Sequence, residues 1–387
     1  MIHLGGKQMK KLLSVLLILV MVFSFAACGG GGDDSGMKIT LVTDKGNIDD
    51  KSFNQGSWEG VIEFAEANGM EEGTDYQYIK PEEASDAGYL AAIDLAVEGG
   101  ANVVVCPGYL FEVAVYEAQT KYPDVKFLII DGAPHTADYA TYETKENVAS
   151  IMYAEEESGY LAGYAAVKDG FTKIGFMGGM AVPAVQAFGY GYLQGADAAA
   201  QELGVAVDAT YHYTGNFEEN DQNKATAKTM YQQGTEVIFA CGGSVGKSVF
   251  SAAAEAEAKA IGVDVDQRYD SETVITSATK GLGASVVSVL EAIKDGSFDT
   301  YAGKTTYFDA TNDGVGLPTM VLDGSSDNAF DRFAKFDKAA YDAVYAKLVD
   351  GSVDPIRTIT VANTDGYATA DELTTGLSLQ KVTVTVR

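Results

Sequence analysis

The chain has 387 residues, 47% of them apolar, and a formal net charge of -28. Such length and apolar content allow more than one ordinary core and exclude a disordered acidic tail. The charge excludes a nucleic-acid partner, which needs a Lys/Arg footprint for its phosphates, and adhesion to anionic lipid through a basic face. With three Cys, three His and no CxxC pair, neither a disulfide scaffold nor a metal site is expected, and no cofactor is implied.

Lys7, Lys10 and Lys11 precede an apolar run from Leu12 to Phe25, which ends in Ala26-Ala27-Cys28. A basic head, a short apolar core and small residues at a cleavage point make a secretory signal. The run is too short for a transmembrane span. Small residues directly before Cys28 resemble a bacterial lipobox, in which the cysteine is lipidated and becomes the mature N-terminus. Residues 1–28 are therefore expected to be a lipoprotein signal peptide. Residues 29–37, opening with Gly29 to Gly32, are expected to be a flexible tether. The implied location is the extracytoplasmic face of the cell membrane.

From Lys38 onward the chain aligns with itself at an offset of 135 residues: Phe53 falls on Phe188, Gly60 on Gly195, Tyr76 on Tyr211, Cys106 on Cys241 and Gly108 on Gly243. Each copy opens with a short apolar run, Ile39 to Thr43 and Ile174 to Met177. A helical stretch follows, Trp58 to Ala67 and Tyr192 to Leu203. Further on come the apolar runs Val103 to Cys106 and Val237 to Cys241. Continuous apolar runs between helical stretches predict parallel strands covered on both faces. Each copy is thus predicted to be a doubly wound α/β lobe, 38–148 and 149–279, and the pair a hinged clamshell with its ligand in the cleft. Parts of 280–320 and 305–365, with a helix over Asp331 to Val349, are expected to complete the lobes. Residues 366–387 are expected to be an outer tail.

Open parallel sheets bind ligands beyond the carboxyl ends of their strands. The rule nominates Asp44, the turn to Asn54, Gly108 and Asp131 in the first lobe. In the second it nominates Gly178-Gly179, Phe188, Gly242-Gly243 and Asp264 or Asp266, with Lys280 at a later strand end. Ser52 and a neighbouring acid suit a helix cap, which leaves Phe53 unexplained. Phe53 and its repeat partner Phe188 could close on a flat ring from both sides. Asn54 offers a donor and an acceptor to a base edge. A strand-end carboxylate, Asp131 or Asp264, can accept from vicinal hydroxyls, and Lys280 can donate to a sugar oxygen. Asp266 lies nearer the strict repeat register than Asp264, so both stay open.

Gly242 to Gly246 fits G-x-S-x-G, but no His follows His212 to serve such a hydrolase. The stretch ending Gly246-Lys247-Ser248 has Cys241 where a phosphate loop needs Gly. Its glycines read as close backbone approach beside a helix N-terminus with free N–H groups. No complete catalytic set is found, and the chain is read as a non-enzyme.

Asp50-Lys51-Ser52-Phe53-Asn54-Gln55, Lys173 to Phe176 with Gly178-Gly179-Met180, Gly262 to Gln267, Ser277 to Lys280 and Gly314 to Leu317 together resemble the Bmp family of basic membrane lipoproteins, PnrA-like nucleoside-binding proteins. The resemblance spans residues from about 38 to about 320. It implies a type I periplasmic-binding fold of two Rossmann-like lobes and delivery of a purine nucleoside to an ABC permease in the membrane. Riboflavin or a sugar is the alternative cargo. By the same resemblance Asn54 and Asp131 would meet the base between aromatics, and Asp264, Gly243 and Lys280 the ribose. Two other functions compete with import: a ligand-sensing lipoprotein, and a repressor of the same fold, which would need a basic helix-turn-helix where this chain has its export signal.

Overall fold

The computed structural model describes residues 36–322 and 328–387; the signal peptide, Cys28 and the glycines from Gly29 to Gly32 lie outside the described residues. From Lys38 the chain alternates strands and helices. The first run is β1 (Ile39–Val42), α1 (Phe53–Ala67), β2 (Tyr76–Ile79), α2 (Asp86–Glu98), β3 (Val103–Pro107), α3 (Glu112–Lys121), β4 (Lys126–Ile130) and β5 (Val148–Tyr153). The second is α4 (Glu155–Asp169), β6 (Lys173–Gly178), α5 (Pro183–Leu203), β7 (Val207–Tyr213), α6 (Asp221–Gln232), β8 (Val237–Cys241), α7 (Val245–Ala256), β9 (Lys259–Asp264) and β10 (Val274–Lys280). There follow α8 (Leu282–Lys294), β11 (Lys304–Phe308), β12 (Val315–Gly316), α9 (Lys338–Val349), α10 (Ala370–Gly376) and β13 (Val382–Val386).

Two sheets result. The first has the order β11-β5-β4-β3-β1-β2 and is parallel throughout; the second has the order β12-β10-β9-β8-β6-β7-β13, with only β12 antiparallel. The central strands β3 (VVVCP) and β8 (VIFAC) are buried at every position, as strands with helices on both faces must be. The repeat reaches down to the helix caps. The Ser85 hydroxyl accepts from Gly88 N at 3.1 Å to start α2, and the Asn220 side chain accepts from Asn223 N at 2.8 Å to start α6.

The lobes exchange more chain than the repeat suggests. β5 belongs to the first sheet, so the chain crosses to the second sheet after Tyr153, later than expected. It returns after Lys280 to place α8 against α1, and crosses again between Phe308 and Val315. Residues 366–387 are no outer tail. β13 pairs with β7 from Val382↔Val207 to Val386↔Tyr211, and Leu373, Leu377 and Val382 join the core of the second lobe. The predicted helix over Asp331 to Val349 starts only at Lys338, where the Asp337 carboxylate caps it. Before it Phe330, Phe333 and Phe336 form a buried aromatic turn. Helices α4 and α5 touch backbone to backbone. A Cβ on Gly163 would sit 1.9 Å from the Tyr192 carbonyl oxygen, and one on Gly195 would sit 1.9 Å from that of Tyr160.

Candidate functional site

A cleft of about 920 Å³, counting its solvent-open part, lies at the carboxyl ends of both sheets. Asp44, Phe53, Asn54 and Asp131 line it from the first lobe, and Phe188, Gly243, Asp264 and Lys280 from the second or its border. All eight candidates therefore meet at one place. Asp266 does not line the cleft: its carboxylate is taken by Arg268 at 2.6 Å.

Asp131 directly follows β4 and Asp264 ends β9, and both are left-handed, with φ of 57° and 66°. Such backbone is uncommon outside glycine. Here it accompanies carboxylates that both come within ion-pair range of one lysine. The two aspartates share Lys280, whose Nζ contacts Asp131 Oδ2, lies 3.1 Å from Glu155 Oε1 and lies 3.9 Å from Asp264 Oδ1. The rings of Phe53, Phe188 and Tyr153 surround the same ammonium at 5.0, 5.3 and 5.4 Å. Burial alone would pull this lysine below its ordinary range, but the attraction of Asp131, Glu155 and Asp264 outweighs burial and holds it above.

Burial raises Asp131 to about 7, against the pull of Lys280. Its other oxygen, Oδ1, is buried with no hydrogen-bond partner among the described residues. Burial likewise raises Asp264, against the pull of Lys280 and a 2.5 Å bond from the Ser52 hydroxyl. A buried acceptor left open beside the cleft is costly until a ligand donor reaches it.

The turn before α1 differs from its expected form. Ser52 does not cap α1; its hydroxyl crosses to Asp264. The cap is Asp50, whose carboxylate accepts from the amides of Ser52, Asn54 and Gln55 at 2.9 to 3.1 Å. Asn54 was expected to read a ring edge with donor and acceptor alike. Both its amide hydrogens are committed, to Asp44 at 2.8 Å and Asp50 at 2.9 Å, and its carbonyl accepts from Asp44 N. It frames the turn and keeps one lone pair for the cleft. Burial raises Asp44 to about 6, opposed by hydrogen bonds from Gly46 and Asn54. The glycines before α7 also differ from expectation. The amides of Val245, Gly246 and Lys247 are taken by the carbonyls of Gly242, Gly243 and Ser244, so these N–H groups are not free.

Sequence reasoning missed Glu155 and Arg357. Arg357 Nη2 forms an ion pair with Glu155 at 2.7 Å, while Nη1 donates to Glu156 at 2.5 Å and to the Tyr153 carbonyl at 2.8 Å, all where the chain first crosses between lobes. Lys280 and Arg357 together outweigh burial and hold Glu155 below the usual carboxylate range. Three acids in a row, Glu155 to Glu157, were the available signal, but they read equally as helix-start charges. Arg357 comes from an irregular stretch that no periodicity marks.

Two parallel-sheet lobes, crossed by the chain at their border and enclosing a cleft, are the build of the solute-binding proteins that serve ABC importers. Residues 38–346 match the family described as ABC transporter substrate-binding protein PnrA-like (Bmp), and the chain belongs to it. The ABC transporter nucleoside-binding protein BmpA of Lactococcus lactis subsp. cremoris is 32% identical over 323 residues, 77% of this chain and 85% of that one. Basic membrane protein A2 of Borrelia garinii subsp. bavariensis is 32% identical over 283 residues, 72% of this chain and 79% of that one. In fold, the chain resembles an ABC transporter solute-binding protein of Aeropyrum pernix K1 with a TM-score of 0.72 and 24% identity, covering 85% of this chain and 95% of that one.

Proposed function

We propose that this substrate-binding protein is the lipid-anchored capture subunit of an ABC importer and that its cargo is a purine nucleoside. One observation carries the cargo reading. Two left-handed strand-end aspartates, Asp131 with an oxygen unpartnered among the described residues and Asp264, face a single cleft that Phe53 and Phe188 flank. A nucleoside has complementary parts: a flat base for the rings, ring N–H groups for one carboxylate and vicinal hydroxyls for the other. The lining acids Asp44, Asp50, Asp131, Glu155 and Asp264 outnumber Lys45, Lys280 and Arg357, which favours an uncharged solute over a phosphorylated one. The name of the Lactococcus lactis relative agrees.

Titration calorimetry with inosine, 2′-deoxyinosine and ribose tests the cargo. Inosine is expected to bind, ribose not to bind measurably, and Asp264→Ala to weaken inosine at least tenfold while weakening the deoxy analogue less. A charged hydrogen bond of about 1.5–3 kcal/mol sets that scale. Equal losses for both nucleosides would assign Asp264 a framework role. For the anchor, Cys28→Ser is expected to release the protein from membranes or to leave an unprocessed precursor; membrane retention of a processed Cys28→Ser protein would refute lipidation there.

A further inference from the structure

The turn that carries Ser52 and Phe53 begins with a left-handed residue, Lys51, at φ 63°. Lysine has no intrinsic reason to adopt that conformation, so its surroundings must hold it. The Lys51 carbonyl accepts from Gln267 Nε2 at 2.7 Å. Gln267 belongs to the second lobe, just past β9, and is 1% exposed. Its own placement is fully determined: Oε1 accepts from Val263 N at 2.8 Å, and its backbone N–H donates to Ser277 Oγ at 3.0 Å. Gly262 leaves the room, since a Cβ there would sit 2.5 Å from Gln267 Oε1 and 2.6 Å from Ser277 Oγ. Three residues before Gln267, Asp264 takes the Ser52 hydroxyl. The short run from Asp264 to Gln267 thus grips two consecutive residues of the opposite lobe.

We propose that Gln267 is a positioning residue for ligand capture: through the Lys51 carbonyl it holds the left-handed turn that places Ser52 on Asp264 and Phe53 at the cleft, and so couples the first lobe's reading turn to the strand end that carries Asp264. The ligand-affinity part rests on the nucleoside reading; the turn-holding part does not. Gln267→Glu keeps the acceptor for Val263 N and removes the donor to Lys51. Gln267→Met removes both without adding charge and serves if the acidic variant folds poorly.

The experiment measures amide hydrogen exchange of residues 50–55 in unliganded full-length protein, with α6 as an internal reference, and inosine affinity by calorimetry. Either variant is expected to speed exchange at 50–55 at least tenfold, to leave α6 unchanged and to weaken inosine at least tenfold. Adding Lys51→Gly, which makes the left-handed turn intrinsically accessible, is expected to restore most of the lost protection. Unchanged exchange at 50–55 in both variants overturns the proposal whatever the affinities do. Failure of Lys51→Gly to restore protection also overturns it. If wild-type protein does not bind inosine, the nucleoside reading fails, and the exchange data alone decide the role of Gln267.

Discussion

Phe53 and Phe188 occupy matching positions in the repeat but different surroundings, and removing each should have a different effect. Phe188 is 2% exposed and packs edge-on against Phe239 at 5.9 Å, with interplanar angle 85°. Truncating a buried phenylalanine costs about 3–5 kcal/mol of stability. Phe53 is only half-buried, at the first position of α1, so Phe53→Ala should cost much less stability. As stacking partners, each should contribute about 1–3 kcal/mol to inosine affinity, a weakening of roughly five- to 150-fold. Urea unfolding without ligand gives the first quantity and calorimetry the second. Phe188→Ala is expected to lower both; Phe53→Ala is expected to lower affinity with little change in unfolding midpoint. The double variant should lose less affinity than the two single losses added, because a ring released on one face tilts off the other. If Phe53→Ala leaves inosine affinity within twofold of wild type, the stacking reasoning fails, and Phe53 serves only to shield Lys280.

Lys280→Met leaves Asp131, Glu155 and Asp264 buried without their shared ammonium and should cost about 3–5 kcal/mol, read by urea unfolding; an unchanged midpoint would show the cluster to be solvated. Asp44 rises from its ordinary 3.8 to about 6, so below pH 4 both folded and unfolded chains hold its proton. Between about pH 4 and 6 the unfolded chain releases the proton first, and stability falls by at most about 3 kcal/mol before levelling. Asp44→Asn should flatten that part of the stability–pH profile, and a superimposable profile would refute the assignment. Gly163→Val must force α4 from α5, since even a Cβ meets the Tyr192 carbonyl; it should weaken inosine binding as well as the fold, because those helices carry Glu155 and Phe188.

The strands of both lobes were legible because their burial on two faces leaves uninterrupted apolar runs such as Val103 to Cys106. The offset of 135 residues also places Ser85 on Asn220, and each caps a helix. It failed at the strand end that matters most: Asp266 sits in strict register with Asp131, yet Asp264 shares its left-handed backbone and its lysine. A displacement of two residues in a loop leaves no trace in hydrophobic periodicity. At the start of α1 the expected acidic cap is present as Asp50, and only Ser52 departs from its expected part, for a related reason. Ser52 and Asp50 are both good capping types, and only the presence of Asp264 across the cleft decides which one is free to cap. Arg357 and β13 were illegible because their partners, Glu155 and β7, stand more than 150 residues earlier in the chain.

The pairing of β13 with β7 bears on how the molecule is made. During synthesis the first sheet lacks its edge strand β11 until residue 308 exists, and the second lacks β13 until residue 386. From residue 213 until the last residues are made, then, β7 has an open parallel edge along Val207, Ala209 and Tyr211. Neither lobe can complete its sheet while the chain is still short. Late closure of both sheets makes each lobe's last pairing depend on residues far along the chain, β11 for the first and β13 for the second.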